Sequence, residues 1–193
     1  MDNIINDDLI KTINDIYYKI YPEIDFHLIK EELSYTMATQ ITNTERIRLL
    51  QTFSNIPDIK VSLFSSDNLS NTFITQKGPV NYITQMPYVF KTSKINLNIT
   101  LKCLQSGIPL RALDIMGCNG FLLSNYQPEL VEYFSPNVDF AVYESIEEAV
   151  DLATYYLTHE NQRNKIAKSG YEKVKQNFSY EKQLKQLFKI AKL

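Results

Sequence analysis

Three short runs set the fold: Ile95-Asn96-Leu97-Asn98-Ile99, Phe121-Leu122-Leu123-Ser124 and Phe140-Ala141-Val142-Tyr143. Between the first two lies SGIPLRALDIMG (residues 106–117), whose apolar positions recur at three- and four-residue spacing. Short apolar or alternating runs like these read as strands, and the intervening stretch reads as a helix over 109–118. Two more runs upstream, Ile59–Phe64 (IKVSLF) and Val80–Ile83 (VNYI), continue the pattern, and helical segments are expected over 85–93 and 128–134. Parallel strands need crossovers of a dozen residues or more, and such crossovers are right-handed. The expectation is an α/β domain: a doubly wound, five-stranded parallel sheet with helices on both faces.

Outward from this centre the chain is helical. In residues 7–20, Leu9, Ile10, Ile13, Ile16, Tyr17 and Ile20 mark an amphipathic helix capped near Asp7 or Asp8, with Pro22 at its end. A second helix is expected from about Asp25 to Thr39. A third is announced by Thr42-Asn43-Thr44-Glu45, where hydroxyl and carboxylate can form a capping box. At the other end, Ser145-Ile146-Glu147-Glu148 is a second capping box, followed by helices carrying Ile166, Ala167 and Val174, and then Leu184, Leu187 and Phe188 behind a cap near Ser179. The change of periodicity near residues 55–58 divides the chain into a helical connecting segment, 1–56, and an α/β domain with C-terminal helices, 57–193.

Composition excludes several classes. With 193 residues, 44% hydrophobic and 22% charged, the chain is neither disordered nor of low complexity. No apolar run approaches the roughly 20 residues that span a bilayer, and the acidic start MDNIINDDLIKTI lacks the basic and apolar regions of a signal peptide. Two cysteines, Cys103 and Cys118, in apolar surroundings read as reduced thiols of a cytoplasmic protein, and His27 and His159 lack ligand spacing. No D-x-D pair occurs. Charge is graded: residues 1–50 carry nine acids and five bases, 51–160 eleven and six, and 161–193 two and nine. A basic tail suits a membrane surface, nucleic acid or an acidic domain, yet on helices it equally forms a solvated face.

A doubly wound sheet binds its ligand at the carboxyl ends of its strands. Gly107 and Pro109 open a helix there, leaving the backbone amides of Gly107 and Ile108 and the positive end of the helix dipole for an anion. Arg111 and Asp114 share one helix face at i and i+3, a fork for phosphate oxygens and a carboxylate for vicinal hydroxyls. The same spacing serves an ordinary surface ion pair, with Gly117 and Gly120 merely ending the helix. Asn98 and Thr100 stand at the end of a strand where they can line the cleft or form a local turn, and Ser65, Ser66 and Asp67 are equally ambiguous.

The stretches Lys94–Thr100, Ser106–Arg111, Asp114–Gly117, Asn125–Leu130 and Ile166–Val174 resemble the C-terminal domain of glycosyltransferases of the spore-maturation CgeB type, and together they span most of residues 45–190. That group resembles the wider GT-B class of group 1 glycosyl transferases, in which two Rossmann-like domains face each other and the C-terminal one holds a nucleotide-sugar donor. The resemblance implies that Asp114 binds ribose hydroxyls, that Arg111 and the amides near Gly107 hold the diphosphate, and that Tyr82 stacks on the base. The E-x7-E pattern of the class asks for a glutamate where this chain has Ser106. The resemblance also implies a nucleoside-diphosphate sugar as substrate, no cofactor, and a metal-free leaving-group site in keeping with the missing D-x-D. An acceptor domain would precede Met1, and the final helices would reach back to it. The helices of residues 7–54 would otherwise expose apolar surface and could pair in a homodimer. The rivals are a degenerate, non-catalytic module that works through protein contacts and a receiver-like signalling domain. The latter lacks its acidic cluster at the first strand end.

Overall fold

The computed structural model describes residues 5–66, 74–101 and 106–191. Asp67 and Cys103 lie outside the described residues. The chain divides into two compact units, one running up to Arg46 and including Leu101, the other formed by Ile47–Thr100 and the residues from Ser106 onward.

In the first unit, α1 (Asp7–Ile20) is capped one residue earlier than the sequence indicates, by Asn6, whose side-chain oxygen accepts the amide of Leu9 at 2.9 Å. Asp7 and Asp8 in its first turn and Lys19 in its last complement the helix dipole. Buried Asn14 donates to the carbonyl of Leu28 (3.0 Å) and accepts its amide (2.9 Å). That reciprocal pair fastens the returning chain to α1, while Tyr17 packs between Tyr21 and Phe26.

Next comes α2 (Lys30–Ser54), a single helix where two were expected. The expected capping box fails for a local reason. The hydroxyl of Thr42 donates to the carbonyl of Ala38 at 2.8 Å, and Thr39, Thr44 and Thr52 donate in the same way to Tyr35, Gln40 and Arg48. Each threonine is satisfied within the helix and starts nothing new.

The second unit takes the end of α2 into its core. Its strands are β1 (Ser62–Leu63), β2 (Thr75–Gln76), β3 (Asn96–Asn98), β4 (Leu122–Asn125) and β5 (Ala141–Tyr143). Its helices are α3 (Met86–Thr92), α4 (Leu110–Gly117), α5 (Pro128–Tyr133), α6 (Ile146–Thr158), α7 (Glu160–Asn177) and α8 (Tyr180–Ile190). This is an α/β fold with parallel strands, but the described strands form two sheets instead of one of five: β1 pairs with β2, and β3, β4 and β5 lie in that order. The expected strand at Val80–Ile83 is a turn. Asn81 causes it: its side-chain oxygen accepts the amides of Ile83 (3.0 Å) and Thr84 (2.9 Å), and Gln85 accepts the amide of Asn81, which closes the chain on itself before α3.

Parallel strands this short survive because both faces of the three-stranded sheet are covered. Leu123, Ala141 and Tyr143 face Leu49 and Phe53 of α2 and the apolar sides of α6 and α7. Leu122 and Val142 turn the other way, towards Phe90, Ile115, Met116, Leu130 and Phe134. Each fully buried leucine here contributes about 2 kcal/mol. Buried Asn96 donates to the carbonyls of Phe90 (2.9 Å) and Phe121 (3.3 Å), joining the end of α3 to the sheet. A β-carbon on Gly120 would stand 2.7 Å from the Phe90 carbonyl oxygen, so the return from α4 to β4 needs glycine for space; Asn119 supplies the left-handed turn (φ 59°).

At the far end of β5 sits Asp139, buried and fully engaged. It accepts from the amide of Ser135 (2.8 Å), the hydroxyl of Ser169 (2.7 Å) and the ammonium of Lys173 (2.8 Å). Burial alone would raise its carboxyl, but hydrogen bonds from Lys173, Ser135 and Ser169 outweigh that and hold it below the ordinary value of 3.8. Gly170 lets α7 come this close, since a β-carbon there would collide with the Asp139 carbonyl and crowd the sulfur of Met116. By contrast α8 buries nothing among the described residues, and its Leu184, Leu187 and Phe188 stay exposed. No described helix is long and apolar enough to cross a membrane.

Candidate functional site

The start of α4 follows β3, which puts it at the carboxyl edge of the three-stranded sheet. Gly107 has φ +98° with open space where a β-carbon would go, so glycine is required there by backbone conformation and not by crowding. Pro109 is the N-cap and offers no side-chain bond. Ile108 is half-buried against the α3–α4–α5 core.

One turn into α4 the first cluster forms. The Arg111 side chain is exposed, with its guanidinium carbon 5.5 Å from the centre of the Tyr82 ring and 5.6 Å from that of Phe90. Asp114, half-buried, accepts a hydrogen bond from the Tyr82 hydroxyl. That bond, then burial, then the negative charge of Asp114 push the Tyr82 phenol up, while Arg111 pulls it back. Tyr82 is therefore a neutral donor at neutral pH. The turn made by Asn81 brings Tyr82 to α4, so the residue expected from resemblance arrives by a route different from the expected strand.

A second cluster joins the ends of β3 and β4. Asn98 donates to the hydroxyls of Thr100 (2.8 Å) and Ser124 (3.0 Å), and Asn125 accepts the amide of Thr100 (2.8 Å) while donating to its carbonyl (3.3 Å). Asn98, Thr100 and Ser124 are buried, the last completely. These groups satisfy one another and clamp the two strand ends at a fixed spacing.

The third contact was not legible as part of a site. The amide of Gly107 donates to the carboxylate of Glu129, in the first turn of α5. The signal available was Glu129 standing directly after Pro128 at a helix start beyond β4, hence at the same edge of the sheet. The geometry thus brings Tyr82, Arg111 and Asp114 together, joins Asn98 to Thr100, and engages Gly107 with an acid. Cys118, at the end of α4, is half-buried; burial and then the charge of Asp114 push its thiol up against the pull of Lys91. Among the described residues no group of three or more His, Cys, Asp or Glu side chains is arranged to hold a metal ion.

Comparison with known proteins bears on what this edge is for. No curated protein matches the chain. Among solved structures it is similar to the C-terminal domain of the glycosyl transferase group 1 family protein LpcC from Francisella tularensis, with a TM-score of 0.56 and 15% identity over 72% of this chain and 80% of that one. The likeness is one of fold. Residues 45–189, which hold every described strand and the whole edge described above, match the model of the glycosyl transferase-like family, and the chain belongs to that family.

Proposed function

We propose that the chain is the donor-binding half of a GT-B glycosyltransferase of the CgeB type, which passes a sugar from a nucleoside diphosphate to an acceptor held by a second domain, in the cytoplasm. The observation that carries this reading is the meeting of Tyr82 with Arg111 and Asp114 across 32 residues of sequence at the start of α4. Arg111 keeps its charge in water on an aromatic support, ready to form a bidentate pair with the diphosphate. Asp114 would accept from ribose hydroxyls. The amides at Gly107 and Ile108 and the dipole of α4 would share the negative charge of the leaving nucleoside diphosphate, a role that needs no metal ion. Tyr82 offers a half-exposed ring for the base. Asn98 and Thr100 set the spacing of the strand ends under the donor.

A second reading, a non-catalytic module on the same fold, draws support from the engagement of Gly107 by Glu129 and from Ser106 in place of a second carboxylate. Calorimetric titration with UDP, GDP, dTDP and ADP separates the two. Binding of one of them, lost in Arg111→Ala and Asp114→Ala proteins that still fold, is the expected result. A folded protein that binds none is the module.

A further inference from the structure

Two of the polar groups that the donor reading assigns to the ligand already have partners inside the protein, and each partner copies the ligand's chemistry. The amide of Gly107, assigned to a phosphate oxygen, holds the carboxylate oxygen of Glu129. The carboxylate of Asp114, assigned to a ribose hydroxyl, holds the hydroxyl of Tyr82. We propose that the Glu129 carboxylate and the Tyr82 hydroxyl are internal stand-ins for the diphosphate and the ribose, and that a nucleoside diphosphate must displace these two hydrogen bonds before it can be bound, the Tyr82 ring staying beside the base. The proposal rests on the donor-binding reading.

The physical consequence is a reduced apparent affinity. A ligand that binds only molecules in which Glu129 has left Gly107 has its dissociation constant multiplied by the inverse of that population. A hydrogen bond between an amide and an ionised carboxylate is among the stronger kind, so the population is small. Both stand-ins come from outside α4: Glu129 from the first turn of α5 and Tyr82 from the turn made by Asn81. Either hydrogen bond can open while α4 keeps its place, because Glu129 is half-exposed and half of Tyr82 faces solvent. Without their partners the Gly107 amide and the Asp114 carboxylate would be left to water until donor arrives; the stand-ins keep the edge ordered in the meantime.

The test is titration of the parent chain and four variants with UDP, GDP, dTDP, ADP and inorganic pyrophosphate, each protein first checked for an unchanged circular dichroism spectrum. Glu129→Gln and Glu129→Ala should bind the preferred nucleotide roughly tenfold more tightly or better, the lower end of the scale of one charge-assisted hydrogen bond. Glu132→Gln, which removes an exposed charge from the same helix without touching Gly107, should change nothing. Tyr82→Phe keeps the ring and should tighten the nucleotide roughly two- to fivefold, the scale of a neutral hydrogen bond. Pyrophosphate, which has no ribose, should gain from the Glu129 variants and not from Tyr82→Phe. Nucleotide binding that is equal or weaker in both Glu129 variants overturns the proposal and leaves the donor reading standing, as does an equal gain in Glu132→Gln. No binding of any probe by any folded variant removes both.

Discussion

Asp114 in α4 and Asp139 ahead of β5 belong to one unit, and their hydrogen bonding is opposite. Asp139 is 4% exposed and takes hydrogen bonds from an amide, a hydroxyl and an ammonium, so its acceptor capacity is consumed within the protein. Asp114 is half-buried and, among the described residues, accepts only from Tyr82, with the exposed Arg111 guanidinium one turn away along α4. A saturated carboxylate ties elements together. An unsaturated one beside a hydrated cation is available to a ligand. On the proposed donor reading, the number of donors a carboxylate already has, more than its burial, separates scaffold from site.

Substitutions can break that contrast or sharpen it. The largest effect should come from Asp139→Ala, which strands the Ser135 amide and the Lys173 ammonium; we expect a loss of about 3 kcal/mol in urea unfolding. Gly170→Ala should cost about 2 kcal/mol in the same experiment, because the new methyl group meets a backbone carbonyl that cannot step aside. A smaller effect is one of pH. The Asp139 carboxyl sits below its unfolded value, so the unfolded chain binds the extra proton; the stabilisation is complete above about pH 4 and is lost as pH falls through the depressed folded value. Asp139→Asn should flatten that acid limb, and an unchanged limb would show that other groups set it. The smallest shifts should come from Arg111→Ala and Asp114→Ala, within about 0.5 kcal/mol of the parent. If either unfolds the domain as Asp139→Ala does, the distinction between the two aspartates collapses.

Much of the α/β unit could be read in advance, and the failures have definite causes. The runs at 95–99, 121–124 and 140–143 became β3, β4 and β5 because short apolar or alternating runs between helical stretches are a signal that needs no tertiary information, although the buried positions of β3 are the polar Asn96 and Asn98, which that signal does not predict. Ser145 and Ser179 cap α6 and α8 as expected, since capping is a local event. Val80–Ile83 misled because its alternation hides that its own Asn81 can capture two amides at once. Thr42 misled because the same hydroxyl that caps a helix can bond backwards within one. Within the candidate site, helical spacing put Arg111 and Asp114 on one face of α4 but left a surface ion pair equally open, and only the family resemblance gave them a role. Glu129 was not, because its partner is 22 residues away and is a backbone amide, which leaves no mark on a sequence.

The continuity of α2 limits where the chain can be shortened. The boundary between the two units falls between Arg46 and Ile47, inside this helix, and Leu49 and Phe53 beyond it are core residues of the α/β unit. A truncation made at that boundary would ask a stub of two turns to stay helical alone, well below the roughly 12 residues at which isolated helices become even marginal in water. Two hydrophobic anchors would fray from the sheet. Anyone excising the α/β unit for crystallisation or spectroscopy should cut ahead of Lys30 and carry the entire rod along.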